Sequence, residues 1–245
     1  MEKQIIWRGL LAGALGGVVA FLFARTLVEP TIARAIDFEE SHSSGHDHGA
    51  ELFTRSVQAN VGMGFGVVAF AVAMGALFAV AFVVAYARIG VLGPRPLSLV
   101  LGAAAFGAIV LAPSLKYPPN PPSVGHAETI RDRTGLYLLM VLLSLVLALG
   151  AVWLGRKLVA RLGVWSAALI GLGAYLLGIA VVMVVLPAVA ETPDGFPADV
   201  LYDFRMCSLG TQLVMWATIS VVFASLTARL LDEPRPRDRE PSLTA

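Results

Sequence analysis

Apolar residues along this chain gather into long runs, and polar ones into the gaps between them. Five runs carry no charge: residues 61–86, 97–115, 135–154, 164–186 and 206–228; a sixth, 5–24, holds only Arg8. Each is close to the ~20 apolar residues that cross a ~30 Å hydrocarbon core as a helix. Lipid offers a backbone no hydrogen-bond partner, so a spanning segment must bond within itself, which a helix does. The pattern predicts an all-α, polytopic transmembrane helical bundle of about six spans over residues 1–231. Residues 232–245 mix charge with proline, bury no apolar face, and read as a disordered cytoplasmic tail.

The gaps alternate in kind. Residues 25–60, 116–134 and 187–205 are long, whereas 87–96 and 155–163 are short and basic. Short connections force their flanking helices into antiparallel hairpins. With both termini in the cytoplasm, eleven of the 18 Lys and Arg lie inside and seven outside, the bias that sets membrane orientation. Twelve of the 17 acidic residues fall outside. The outer face therefore carries −5 and the inner face +6, a balance that concentrates cations at the outer mouth. Lys3 and Arg8 ahead of an apolar run resemble a signal peptide. Leu22 is a poor residue for the position two before a cleavage point at Ala24, so the segment reads as a retained span; cleavage there would leave five.

With 57% hydrophobic and 14% charged residues, one bundle uses nearly the whole chain and leaves no room for a separate soluble domain. The single Cys207 excludes an internal disulfide, a CxxC motif and a four-cysteine metal site. No P-loop, HExxH or GxSxG motif is present, so the chain reads as no enzyme. No span has a central Asp, Glu, His or Arg of the kind that marks an ion relay, which argues against a self-sufficient pump or channel.

Candidate chemistry lies in the long gaps. His42, His46 and His48 fall within seven residues, among Glu39, Glu40, Asp47 and Glu51. Imidazole with carboxylate suits borderline divalent cations such as cobalt, nickel or zinc. A flexible segment of this kind captures weakly and releases easily, as a collecting site should. These histidines also titrate near neutrality and could sense protons instead. The second long gap opens Lys116-Tyr-Pro-Pro-Asn-Pro-Pro, whose prolines hold the backbone near polyproline II. That stiff brace would set Asn120, His126 and Glu128 over the bundle mouth. Arg25 and Glu29 mark the outer end of the first span, with Gln58 and Asn60 at the mouth of the second. Gly9, Gly13 and Gly17 recur every four residues and leave one helix face bare for close packing.

These residues together resemble the CbtA family of predicted cobalt transporter subunits. The match is carried by the Gly9–Gly17 span closing on Glu29-Pro30, the segment from Glu39 to His48, and Gln58-Ala-Asn60. Further along it is carried by the proline loop before Glu128-Thr-Ile-Arg-Asp-Arg-Thr, and by Phe196-Pro-Ala-Asp-Val-Leu-Tyr-Asp-Phe-Arg. The resemblance implies cobalt uptake across the cytoplasmic membrane in support of cobalamin synthesis. It also implies a partner, the small single-span CbtB subunit with a His-rich tail. The family is usually described with five spans, and this chain offers six. The expectation is thus a membrane subunit of a divalent-cation uptake system, with metal ligands among His42, His46, His48, Asp47, Glu39, Glu40, His126 and Glu29. The competing expectation is a metal-binding scaffold or sensor that acts through a partner and transports nothing.

Overall fold

A computed structural model of the chain describes residues 2–42, 54–89, 92–122, 124–125 and 127–231. Among them are five helices long and apolar enough to cross a membrane: α1 (Glu2–Ser41), α2 (Arg55–Arg88), α3 (Pro94–Lys116), α4 (Ile130–Val185) and α5 (Ala198–Leu231). No strand occurs among the described residues. The five helices accommodate six apolar runs because α4 holds two of them. Its 56 residues are interrupted at Gly163, where φ is 77° and ψ is 167°. Only glycine, without a Cβ, takes that conformation without strain.

The chain reverses there. The space beside Gly171 is filled by the Ala151 carbonyl 2.9 Å away, and that beside Gly178 by a Leu147 methyl at 2.8 Å. Ser144 Oγ lies 2.9 Å from Tyr175 OH. These pairs sit symmetrically about the turn, so the limbs before and after Gly163 form an antiparallel hairpin. The basic segment 155–163, expected as a loop, is helical up to the reversal itself.

The contacts divide the chain into two compact units. The first comprises Met1–Leu22, Asn60–Ala103 and Val214–Ala245. In it the glycine face of α1 lies directly on α2. A Cβ on Gly13 would fall 2.8 Å from Val72 Cα, one on Gly17 would fall 2.8 Å from Val68 Cα, and one on Gly9 would strike the Gly75 carbonyl. The faces of those glycines are filled largely by backbone. Gly16, on another side of α1, meets Ile219 of α5. Aromatic rings complete this core, with Phe223 edge-on to both Phe78 and Phe82 at 5.2 and 5.1 Å between centroids. Two buried hydroxyls are satisfied within their own helices, Ser98 donating to Pro94 O and Ser220 to Trp216 O. Met140, in the other unit, and Met215 are fully buried, as gap-filling thioethers usually are.

The second unit comprises Phe23–Ala59 and Ala104–Leu213. Within it α1 continues helical beyond Ala24, where the apolar run ends, and its backbone stays helical through His42. The first long gap is therefore largely helix on both flanks. A buried stripe explains the extension: Ala24, Val28, Thr31 and Ala35 recur at helical spacing and are all buried. Ala35 joins Val124, Phe196 and Val200 in a small core, with Phe38 and Leu201 packed on it. The Phe38 and Phe196 rings meet edge-to-face at 5.0 Å. A larger cluster of Ala112, Tyr117, Met140 and Ile179 joins the end of α3 to both limbs of α4.

Two π-helical turns in this unit have a covalent cause. Proline removes a backbone donor, and its ring clashes with the carbonyl four residues back. Pro30 follows the wide turn Ala24–Val28, and Pro113 follows the wide turn Phe106–Leu111. Ile109 O, the carbonyl that Pro113 displaces, accepts a bond from Tyr137 OH at 3.4 Å. A neighbouring helix thus supplies what the proline removed.

Candidate functional site

The second unit holds the end of α1, the start of α2, the end of α3, all of α4 and the start of α5, and its polar cap pairs Arg34, Arg55, Arg133 and Arg205. Arg34 of α1 donates to Asp203 Oδ2 at 2.8 Å and lies 3.6 Å from Asp199, both on α5. Arg205 of α5 donates to Asn120 Oδ1 at 2.8 Å, which fixes the proline loop. That loop is held again by Tyr117, whose OH donates to Pro187 O at 2.8 Å. Burial pushes the Tyr117 pKa up, so the phenol stays a donor. The brace expected from four prolines is present, and Asn120 and Tyr117 pin it.

Arg133 is a node that the sequence reading did not find. Its Nη1 donates to Val124 O at 3.3 Å, and its Nε lies 3.3 Å from Glu191 Oε2, an ion-pair distance without hydrogen-bond alignment. Thr129 Oγ1 donates to the same carboxylate oxygen at 2.9 Å. Arg133's guanidinium occupies the space beside Gly125, whose φ of 114° favours glycine in any case. One side chain thereby ties the proline loop to the linker before α5. The available signal was the glycine ahead of a doubled arginine, Gly125 with Arg131 and Arg133.

These pairings change the electrostatic expectation. Asp199 and Asp203 share Arg34, Glu191 has Arg133 and Glu29 has Arg55, so most of the −5 of the outer face falls on its other carboxylates. Asp37, Glu39 and Glu40 are exposed on the last turns of α1.

Of the candidate metal ligands among the described residues, Glu29 is the one the fold has enclosed. Its backbone N–H bonds back to Ala24 O, closing the wide turn, so the π-helical geometry sets where its side chain emerges. Glu29 Oε1 accepts from Arg55 Nη2 at 2.6 Å. Glu29 Oε2 is buried with no hydrogen-bond partner among the described residues. Gln58 and Asn60 lie in a third wide turn, Gln58–Gly62, at the start of α2, and both are exposed. Glu39 and Glu40 share the end of α1 with the backbone of His42. The His42 side chain and all of His46, Asp47, His48 and His126 lie outside the described residues. Among the described residues no three of His, Cys, Asp and Glu come together as a metal-binding group.

Long apolar helices, joined at one end by paired charges around an enclosed carboxylate, define a multi-pass helical membrane protein. Over residues 2–228 the chain matches the family model CbtA, described as a probable cobalt transporter subunit, and it belongs to that family. No curated protein and no solved structure matches it significantly.

Proposed function

We propose that this chain is the membrane subunit of a divalent-cation uptake system in the cytoplasmic membrane, with cobalt as its substrate. The polar cap faces outward and both termini face the cytoplasm. His42, His46 and His48, with Glu39, Glu40 and Asp47, collect the ion, and His126 adds a donor from the proline loop. Glu29 receives the ion at the mouth. A small single-span, His-rich CbtB-like subunit completes the system, and the imported metal supplies cobalamin synthesis. The observation that carries this reading is the enclosed carboxylate of Glu29, with one free oxygen, in a family of probable cobalt transporter subunits. The eleven-to-seven distribution of basic residues supports the orientation.

The test is radioactive cobalt uptake into cells lacking other cobalt importers. The protein is expressed alone and then beside a CbtB-like partner, with nickel and zinc as competitors. Internal accumulation that requires this chain supports the reading. Cobalt held at the surface with none accumulated overturns it in favour of a metal-binding scaffold or sensor.

A further inference from the structure

Glu29 and Arg55 are unequally enclosed. The Glu29 side chain is 13% exposed and that of Arg55 41%, so the guanidinium covers the carboxylate from the solvent side. An ionised carboxylate can accept about four hydrogen bonds. Here Oε1 holds Arg55, and Oε2, out of reach of water, holds nothing among the described residues. A half-satisfied buried charge is costly, and its persistence calls for an explanation. Helical irregularity flanks the pair on both sides: the wide turn Ala24–Val28 ends at Glu29, and the wide turn Gln58–Gly62 begins three residues after Arg55. Such turns are rare and concentrate at functional sites.

Resting on the uptake reading above, we infer that Arg55 is a tethered cation occupying a divalent-metal site, with Glu29 as its anionic ligand. An arriving metal ion takes the carboxylate, and the guanidinium swings out through the side on which it is already exposed. One carboxylate plus the ion's own waters makes a weak site, which suits an ion that must leave again. When the ion moves on, Arg55 returns, and the buried carboxylate is never left without a counter-charge. Arginine suits the task because it stays protonated at any physiological pH.

Equilibrium dialysis of the full chain in lipid nanodiscs against cobalt(II) chloride tests this. The loop histidines are replaced (H42A/H46A/H48A) so that they do not contribute. R55Q should tighten cobalt binding by about a hundredfold or more, the low end of what an uncompensated buried charge implies. E29Q should remove the site, and R55Q should then add nothing. Unchanged affinity in R55Q, or equal tightening in the E29Q background, overturns the inference. A second measurement needs no variant: cobalt should increase modification of Arg55 by phenylglyoxal, read by peptide mass spectrometry. Unchanged reactivity at saturating cobalt also overturns it. Cellular uptake is scored separately. Tightening by R55Q without uptake keeps the site and retires the transporter; uptake without tightening does the reverse.

Discussion

Gly9 and Gly75 press backbone to backbone: a Cβ on either would strike the carbonyl oxygen of the other. The contact leaves no flexible side chain to give way, so even a methyl group must move a helix. Gly75→Val should destabilise the protein by about 1–3 kcal/mol, the range for overpacking. Gly173→Ala, with nothing within 4 Å, should be near neutral. Unfolding in mixed detergent micelles compares them, and equal effects would refute the packing account.

Tyr137 and Pro113 should be energetically coupled through Ile109 O. Tyr137→Phe removes a bond worth about 0.5–1.5 kcal/mol. In a Pro113→Ala background residue 113 regains an N–H that can bond Ile109 O within the helix, so the same substitution should cost less. A double-mutant cycle measures the difference, and strict additivity would mean the hydroxyl does not serve that carbonyl.

The cap's two kinds of arginine should respond differently. Arg133, with Val124 O, Glu191 and Gly125 around it, should cost about 2–3 kcal/mol as Ala, because its half-buried pair with Glu191 and its bond to Val124 O are lost together. Arg34 and its acidic partners are all substantially exposed, so Arg34→Ala should cost about 1 kcal/mol or less. The Arg34 effect should shrink further in high salt. Limited proteolysis within 116–134 reads the first variant directly, since a loosened proline loop becomes cleavable.

Replacing His42, His46 and His48 together should raise the cobalt concentration for half-maximal uptake several-fold and leave the maximal rate nearly unchanged. A collecting segment acts on supply, and saturating metal bypasses it. Equal uptake at limiting cobalt would remove these histidines from the pathway.

Gly163→Ala should cost about 1–3 kcal/mol from backbone strain alone, because nothing lies near enough to clash. Unfolding in mixed detergent micelles measures the cost. Unimpaired stability would mean that another residue makes the turn.

The bundle was readable because each apolar run is long, unbroken by charge and near the thickness of a bilayer. The extension of α1 was not, because Arg25, Glu29, Arg34 and Asp37 interrupt any hydropathy window across it. Small residues at 24, 28, 31 and 35 bury a narrow stripe that averaging erases. The turn at Gly163 was hidden differently: basic residues 156, 157 and 161 looked like a loop, yet long side chains on a helix can reach water from its end. Lys157 also rests on the Trp153 ring, with Nζ 3.8 Å from its centroid, a helical neighbour contact that hydropathy cannot register. At the site, Glu29 stood out as an acid at a span end. Its pairing with Arg55 did not, since a separation of 26 residues carries no periodicity linking the two. The proline loop was legible as stiff from composition, but its anchors Tyr117, Asn120 and Arg133 depend on tertiary partners that no local pattern encodes.

The single-residue reversal at Gly163 bears on biogenesis. A connection that short gives the insertion machinery no segment to hold back while the first limb crosses. The two limbs of α4 must therefore partition into lipid together, as one helical hairpin. Arg156, Lys157 and Arg161 crowd its tip, and their charge opposes passage of that tip through the lipid.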